Sequence, residues 1–192
     1  YYVLKNIGRE TISLIETPKD KKYFERVTNT IIVSNKIALE MMAMKARELG
    51  YAPRIQTDAL QGEARDFAKD ALGALREAPA RSVLLYGGET TVTIQGEGKG
   101  GRNMEVALSG LRVVAEGELL LSLASDGMDN TDFAGALCDT IAREKAVAAH
   151  LDIDTYLREN NSYHFFLALH GDYICTGNTG SNVSDLVIAI KE

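Results

Sequence analysis

Residues 96–103, with the sequence GEGKGGRN, combine four glycines with two cations and could bind an anion. Glycine lets the backbone turn its N–H groups toward a ligand, and a helix predicted to begin near Arg102 adds the positive end of its dipole. Lys99 and Arg102 supply full positive charges. The segment therefore predicts a phosphate site. The alternative is a flexible connection from strand to helix whose charges are solvated.

The same segment also matches the dinucleotide-binding pattern GxGxxG through Gly96, Gly98 and Gly101. Two features weaken that interpretation: the preceding strand pattern alternates instead of being wholly apolar, and Glu97 would lie near a pyrophosphate. A P-loop is excluded because no Ser or Thr follows Lys99. Binding of NAD(P)H stays open as an alternative.

An acidic loop at residues 125–132, SDGMDNTD, follows an apolar strand pattern at residues 119–124. Open α/β sheets place ligand sites at the carboxyl ends of their strands. Asp126, Asp129 and Asp132 could hold Mg²⁺ directly or through water, or one of them could orient or deprotonate a substrate hydroxyl. The alternative is an Asx-rich turn in which one aspartate caps the next helix.

A third polar loop, TGNTGSNVSD at residues 176–185, lies between two strand patterns near the end of the chain. Thr176, Thr179 and Asn182 carry hydroxyl and amide groups that could bind a phosphate or a hydroxy acid. The alternative is a hairpin turn whose side chains satisfy its own backbone.

Alternating strand and helix patterns must position these loops, which predicts an α/β fold with a mixed sheet. Helices are expected near residues 35–49, 64–75, 102–114, 141–150 and 161–169. Strands are expected at residues 30–33, 54–57, 82–86, 89–95, 119–124, 173–176 and 186–190. Residues 1–29 are expected to form a helix end and a charged linker.

The composition is that of a globular protein, with 45% hydrophobic and 25% charged residues. A net charge of −6 argues against a nucleic-acid partner, so any phosphate site must be built locally. The chain contains no apolar run near the ~18 residues that a membrane span requires. Cys138 and Cys175 have no metal-binding spacing and are predicted to be reduced thiols in a cytoplasmic protein.

A domain boundary is predicted near Pro79. Residues 1–78 carry 13 basic against 11 acidic residues, whereas residues 79–192 carry 8 against 16. Only four of the 17 glycines precede residue 87. The first segment is too short to close its own sheet, and the chain begins without methionine. We therefore expect it to be part of a longer protein.

Five stretches, in this order, resemble the MOFRL domain of class II glycerate kinases. They are residues 87–92, 98–105, 125–129, 160–163 and 176–186. Residues 34–40 and 60–65 resemble the end of the family's N-terminal domain. The resemblance implies a three-layer, mixed-sheet MOFRL-type domain at residues 79–192, preceded at residues 1–78 by the tail of a Rossmann-like α/β domain.

The activity implied by this resemblance is transfer of the γ-phosphoryl group of ATP to the 2-hydroxyl of D-glycerate, with Mg²⁺, giving 2-phosphoglycerate. Arg102 matches an arginine that the family uses in catalysis with a lysine from the N-terminal domain, which this chain lacks. Asp126 and Asp129 are expected to share catalysis and to bind the metal. Residues expected to bind substrate or nucleotide are Glu89, Thr90, Gly98, Lys99, Gly100, Gly101, Asn161, Thr176, Thr179, Asn182 and Asp185.

The expected partners are ATP, D-glycerate and the missing N-terminal domain, and the family suggests a homodimer. Two alternative functions remain open. One is an NAD(P)H-dependent hydroxypyruvate reductase, a name attached to relatives of this family, which would use the glycine-rich segment for its cofactor. The other is a non-catalytic ligand-binding domain.

Overall fold

The computed structural model describes residues 16–192, which belong to two compact units, Tyr1–Ile32 and Val33–Glu192. The described part of the first unit contains one 3₁₀ turn, Lys21–Tyr23, and the Asp20 side chain accepts a hydrogen bond from the Lys22 amide at its start. The helix end and linker expected at residues 1–29 fall partly on residues 1–15, outside the described residues.

The second unit contains a single mixed sheet. Its strands are β1 (Ala52–Leu60), β2 (Ser82–Gly88), β3 (Glu118–Ala124), β4 (Gly135–Cys138), β5 (Tyr173–Ile174) and β6 (Asp185–Lys191). They are ordered β1-β2-β6-β3-β4-β5. Strands β1 and β2 are parallel, and every other neighbouring pair is antiparallel. The last strand of the chain therefore lies between β2 and β3, in the middle of the sheet.

Helices cover both faces of this sheet. They are α1 (Asn35–Glu48), α2 (Ala64–Glu77), α3 (Arg102–Gly110), α4 (Thr140–Ala148), α5 (Ile153–Arg158) and α6 (Ser162–Ala168). Helix α1 packs Leu39 and Ala43 against Val83 and Leu85 on one face. The other five helices contribute to a larger core on the opposite face. The α/β fold with a mixed sheet and three layers is confirmed.

Local chemistry explains where the first helix begins and ends. The Ser34 hydroxyl accepts a hydrogen bond from the Ile37 amide at 3.3 Å, as an N-cap does. Gly50 follows the helix with a φ of 80°, a conformation that glycine adopts without strain. Both signals lie in the local sequence, and the predicted helix is confirmed.

Two predicted strands are wrong. Residues 30–33 form no strand, and Ile31 and Ile32 are 79% and 82% exposed. Residues 89–95 form only one isolated bridge, from Thr91 to Glu63. Their alternation does not reflect a sheet, because side chains of distant residues take up several of their backbone groups. The sequence also leaves β4 and α5 unpredicted, since each is short: four and six residues.

The predicted boundary near Pro79 and the Rossmann-like tail stay predictions. Strand β1 precedes that position and pairs with β2 beyond it, inside the unit Val33–Glu192. Cys138 is buried, Cys175 is exposed and both are free thiols. In residues 16–192 no helix has the length and apolar character needed to cross a membrane.

Candidate functional site

Several predicted site residues lie close together at one end of the sheet, where strands β2 and β3 end. Strand β6 runs antiparallel to both neighbours, so its first residue, Asp185, pairs with Gly88 at the end of β2 and with Ala124 at the end of β3. Glu89 follows β2, and the acidic loop follows β3. Asp185 therefore lies between Gly88 and Ala124, which precede Glu89 and the acidic loop, at the carboxyl ends of β2 and β3.

Arg102, the first residue of α3, reaches this end of the sheet and forms an ion pair with Asp185. Its Nη2 donates to Asp185 Oδ1 at 3.0 Å and its Nε donates to Oδ2. Glu89 adds a carboxylate oxygen 3.6 Å from Nη2. The hydrogen-bonded Asp185 carboxylate raises the pKa of Arg102. In residues 16–192 no hydrogen bond uses Nη1, which leaves that donor group for a ligand.

A cleft of about 500 Å³ lies beside Arg102. That volume falls within the range of small-molecule binding sites. Six predicted site residues line it: Glu89, Thr90, Gly98, Gly100, Gly101 and Arg102. Six residues outside that prediction complete the lining: Thr91, Val92, Ile94, Glu105, Asn130 and Asn160. The lining does not include Lys99 or Asn161. It also includes none of the predicted site residues in the acidic loop or in the last polar loop.

The glycine-rich segment lies on the chain that connects α5 to α6. The amides of Gln95 and Gly96 donate to Asn160 Oδ1 at 2.6 and 3.0 Å. The Gly98 amide donates to the Glu159 carbonyl at 2.9 Å. A Cβ on Gly96 or Gly98 would lie within 2.4 Å of Glu159 backbone atoms. These glycines therefore permit close packing, and their N–H groups are not all available to a ligand.

Three consecutive N–H groups remain for an anion. In the described part of the chain, the amides of Gly100, Gly101 and Arg102 donate no hydrogen bond to protein. They lie at the start of α3, where the helix dipole favours negative charge. The next two amides, of Asn103 and Met104, already donate to the Asp129 carboxylate. The phosphate site stays a prediction. The groups still available for it are fewer than the full glycine-rich segment suggests: these three amides and the Arg102 side chain.

Lys99 is held against α6 instead of lining the cleft. Its amide donates to Asn161 Oδ1 at 3.1 Å, and its carbonyl accepts from the Tyr163 amide at 2.9 Å. Its ammonium lies 4.0 Å from the centre of the Tyr163 ring, a cation–π contact. Lys99 and Asn161 are therefore neighbours of one another.

The two predicted metal ligands occupy different environments. Asp129 is 4% exposed, and its carboxylate accepts hydrogen bonds from the amides of Asn103 and Met104 at 3.1 and 2.8 Å. Burial raises the pKa of Asp129 to about 6, against the opposing effect of these hydrogen bonds. Asp126 is half-buried and accepts from the Met128 amide and the Asn182 side chain.

Asp129 thus caps a helix, as the alternative interpretation of the acidic loop supposes, but the helix is α3, which precedes the loop in the chain. Among the residues that the structure describes, no group of three or more His, Cys, Asp or Glu side chains could hold a metal ion. The metal-binding role of either aspartate stays a prediction.

The acidic loop and the last polar loop are brought together. The Thr179 hydroxyl donates to the Ser125 carbonyl at 2.6 Å, and the Val183 amide donates to Ser125 Oγ at 2.8 Å. The Thr179 amide donates to the Asp126 carbonyl at 3.1 Å. The Thr176 hydroxyl bonds within its own loop, to the Gly177 carbonyl. The last loop is not a hairpin, since β5 pairs with β4 and β6 with β2 and β3.

The family of this chain is decided by the match of residues 82–185, more than half of its length, to the MOFRL family. The chain belongs to the MOFRL family. It is 39% identical over 180 residues to a glycerate 2-kinase from Pyrococcus horikoshii, covering 88% of this chain and 41% of that relative. It is 33% identical over 204 residues to a D-glycerate 2-kinase from Thermotoga maritima, covering 98% and 48%.

Two solved structures are also similar to this chain. A crystal structure of glycerate kinase from Thermotoga maritima matches all of this chain with a TM-score of 0.86 and 32% identity, over 49% of its own length. A crystal structure of a protein from Pyrococcus horikoshii matches 86% of this chain with a TM-score of 0.79 and 39% identity, over 40% of its own length. The chain spans less than half the length of these MOFRL relatives.

Sequence reasoning missed a buried polar group on the wall of the cleft in this MOFRL domain. Glu105 is 2% exposed and accepts from Arg65 Nε and Nη2 at 3.0 and 2.8 Å. Asn160 also donates to it, at 3.2 Å. Glu105 lies three residues after Arg102, on the same side of the helix. That spacing, and the place of Glu105 at the end of the family-like stretch 98–105, are the signals that could have found it.

Proposed function

We propose that this chain forms part of an ATP-dependent glycerate kinase that phosphorylates the 2-hydroxyl of D-glycerate, giving 2-phosphoglycerate. The observation that carries the proposal is the set of anion-binding groups at the cleft: the unpaired amides of Gly100, Gly101 and Arg102 beside the Arg102 guanidinium. The two relatives described above are glycerate 2-kinases, which supports the same reaction.

Phosphoryl transfer depends on positioning and charge neutralisation more than on covalent chemistry of the protein. The three amides would hold a phosphate of ATP at the N-terminus of α3, where a helix favours anions. Arg102 would use its remaining donor on the transferring phosphoryl group or on the glycerate carboxylate, because its planar fork matches either. Asp185 holds the guanidinium in place for that contact.

Mg²⁺ would accompany the nucleotide and would neutralise phosphate charge. Kinases often hold Mg²⁺ with one or two carboxylates and the substrate phosphates, so a cluster of three protein ligands is not required. Asp126 is the better placed of the two aspartates, because it is half-buried whereas Asp129 is buried and bonded to α3. Asp126 is also the candidate to accept the proton of the glycerate 2-hydroxyl. Thr176, Thr179 and Asn182 would contact the glycerate.

The reductase alternative is weakened by the glycine-rich segment itself. A dinucleotide would need the Gly96 and Gly98 amides or the space beside them, but both amides are hydrogen-bonded to residues 159 and 160. The same segment packs so closely on Glu159 that a Cβ on Gly96 or Gly98 would lie 2.4 Å from a Glu159 backbone atom. We therefore place the kinase reaction first.

The test is glycerate-dependent ADP release with Mg·ATP, measured for this chain alone and for the complete polypeptide that contains it. Oxidation of NADH by hydroxypyruvate is followed in parallel. We expect ADP release from the complete polypeptide and no NADH oxidation. ADP release by this chain alone would contradict our expectation that a catalytic lysine lies elsewhere. NADH oxidation without ADP release would overturn the kinase proposal.

A further inference from the structure

Asn160 lies beneath the glycine-rich segment. Both the oxygen and the nitrogen of its carboxamide make two hydrogen bonds. Oδ1 accepts from the amides of Gln95 and Gly96, at 2.6 and 3.0 Å. Nδ2 donates to the Thr93 carbonyl at 3.3 Å and to Glu105 Oε2 at 3.2 Å. Asn160 is 8% exposed and has a φ of 50°, which asparagine tolerates better than most residues.

This asparagine is itself fixed by a buried ion pair. Glu105, on α3, accepts from Asn160 through one oxygen and from Arg65, on α2, through the other. Glu63, just before α2, is the other carboxylate near Arg65, at 3.6 Å. Burial raises the pKa of Glu105, opposed by its bonds to Asn160 and Arg65. A buried charge of this kind persists only where its partners are complete.

We propose that Asn160 is a positioning residue that joins the glycine-rich segment to α3 and so sets the place of the three unpaired amides. One end of its carboxamide holds the start of the segment, at Gln95 and Gly96. The other end holds Glu105, one turn along the helix that Arg102 begins. Asn160 also lines the cleft, but these bonds use the whole of its carboxamide, so it acts through the backbone and not on the reacting atoms. Its kinetic consequence rests on the proposed kinase function.

The orientation of the carboxamide provides a sharp test. In Asn160→Asp, one oxygen can still accept from Gln95 and Gly96. The other oxygen faces two acceptors, the Thr93 carbonyl and Glu105, and needs a proton to make either bond. The variant should hold the segment at low pH, where the two carboxyl groups share a proton. At pH 7.5 both carboxylates are charged and repel one another, which should move the introduced carboxylate away from the amides of Gln95 and Gly96.

The double variant Asn160→Asp with Glu105→Gln exchanges the amide and the carboxylate. The amide introduced on α3 would donate to the carboxylate introduced beneath the segment, and its carbonyl oxygen would still accept from Arg65. The number of negative charges near Arg65 is unchanged. The bond between positions 160 and 105 should therefore be restored at pH 7.5, and only the weaker bond to the Thr93 carbonyl stays lost. A merely structural requirement for asparagine would not predict this recovery.

Amide hydrogen exchange at Gln95 and Gly96 is measured in the complete polypeptide, with rates corrected for the pH dependence of exchange. At pH 7.5 we expect Asn160→Asp to exchange at least about tenfold faster than wild type, the effect of losing one buried hydrogen bond. The double variant should return to within about threefold of wild type, the usual scatter of such contributions. The control is Asn29→Asp, at an exposed position in the first unit.

Kinetics then connect the positioning to the reaction. Above pH 7 the kcat/KM for Mg·ATP should fall about tenfold in Asn160→Asp and recover in the double variant, in parallel with exchange. If Asn160→Asp does not fold at pH 7.5, the uncharged Asn160→Ser replaces it, with the same tenfold faster exchange expected.

Unchanged exchange in a folded single variant overturns the proposal, and so does a folded double variant that shows no recovery. Expected exchange with no glycerate-dependent ADP release by wild type would leave the positioning role standing and reject the kinase function.

Discussion

Two glycine-containing loops at the same end of the sheet use glycine for opposite reasons. In the glycine-rich segment, a Cβ on Gly101 would lie 2.3 Å from three Asp129 atoms. In the last polar loop, a Cβ on Gly180 would meet nothing within 4 Å, but its φ is 70°. The first glycine is needed because another part of the chain is close. The second is needed only because the backbone turns.

This contrast separates a packed region from a surface region. The glycine-rich segment is held by Asn160, Glu159 and Asn161, and its end is pressed against the buried Asp129. The last loop is exposed from residue 175 to residue 182 and is tied to the acidic loop by hydroxyl and backbone hydrogen bonds. Rigid support favours preorganised charge stabilisation, so the packed region should dominate catalysis.

Arg102→Ala should give the largest effect, because it removes the guanidinium that lines the cleft and leaves the buried Asp185 carboxylate without its partner. By analogy with arginines that neutralise a transferring phosphoryl group, we expect kcat to fall about 10³–10⁵-fold. Steady-state ADP release by the complete polypeptide measures it. Arg112→Ala, which removes an exposed pair with Asp154, is the matched control. Wild-type turnover in Arg102→Ala would break the comparison, since the packed region would then be dispensable.

Gly101→Ala against Gly180→Ala tests the two uses of glycine directly. The first introduces a methyl group into occupied space and should lower the free energy of unfolding by about 3 kcal/mol or more. The second places alanine at positive φ in open space and should cost about 1 kcal/mol. Urea unfolding followed by circular dichroism compares the two. Equal losses would show that the atoms of Asp129 move aside for the methyl group, so that close packing does not require glycine at position 101.

The sequence predicts elements whose signals are local. Helix α1 follows from Ser34 and Gly50, and both signals lie within one turn of its ends. Residues 89–95 alternate like a strand, yet Glu63 and Asn160, about 30 and 65 residues away, take their amides. A pattern within residues 89–95 cannot reveal hydrogen bonds to residues so far away in the sequence. The same limit explains β4, whose four residues are too few to show a period.

For the candidate site, residue type was enough to select Arg102 and Gly101, and the family resemblance added Asp185. The structure brings all three to the cleft or its border. Residue type was not enough to separate Asp126 from Asp129, since the two differ only in burial and in contacts with α3. Glu105 and Asn160 were not predicted as site residues for a related reason. Their roles depend on hydrogen-bond partners in other parts of the chain.

Asp129 offers a pH test of how the packed region is supported. Burial raises its pKa to about 6 from an ordinary value of 3.8, so the folded state binds its proton more tightly than the unfolded state. This contribution to stability is complete below pH 3.8 and is lost as pH rises through about 6. At 1.36 kcal/mol per pKa unit, the loss is up to about 3 kcal/mol.

Asp129→Asn should remove that pH dependence, in addition to any loss from its weaker cap on α3. Urea unfolding at pH 4.5 and 6.5 measures the difference, with Asp58→Asn, at an exposed position of β1, as the control. Equal pH dependence in wild type and Asp129→Asn would mean that the bonds from Asn103 and Met104 offset the burial of the carboxylate. The cap would then stabilise the charged form.

Thr179→Val should give the smallest effect on stability, because it acts in the exposed region. The hydroxyl bond to the Ser125 carbonyl is 2.6 Å long, but both groups can exchange it for water. We expect a loss below about 1 kcal/mol in urea unfolding, against the larger loss for Gly101→Ala. The KM for glycerate should nevertheless rise if the last loop contacts that substrate, while the KM for Mg·ATP stays unchanged. A Thr179→Val enzyme with altered KM for Mg·ATP alone would assign this loop to the nucleotide and reverse the proposed division of the site.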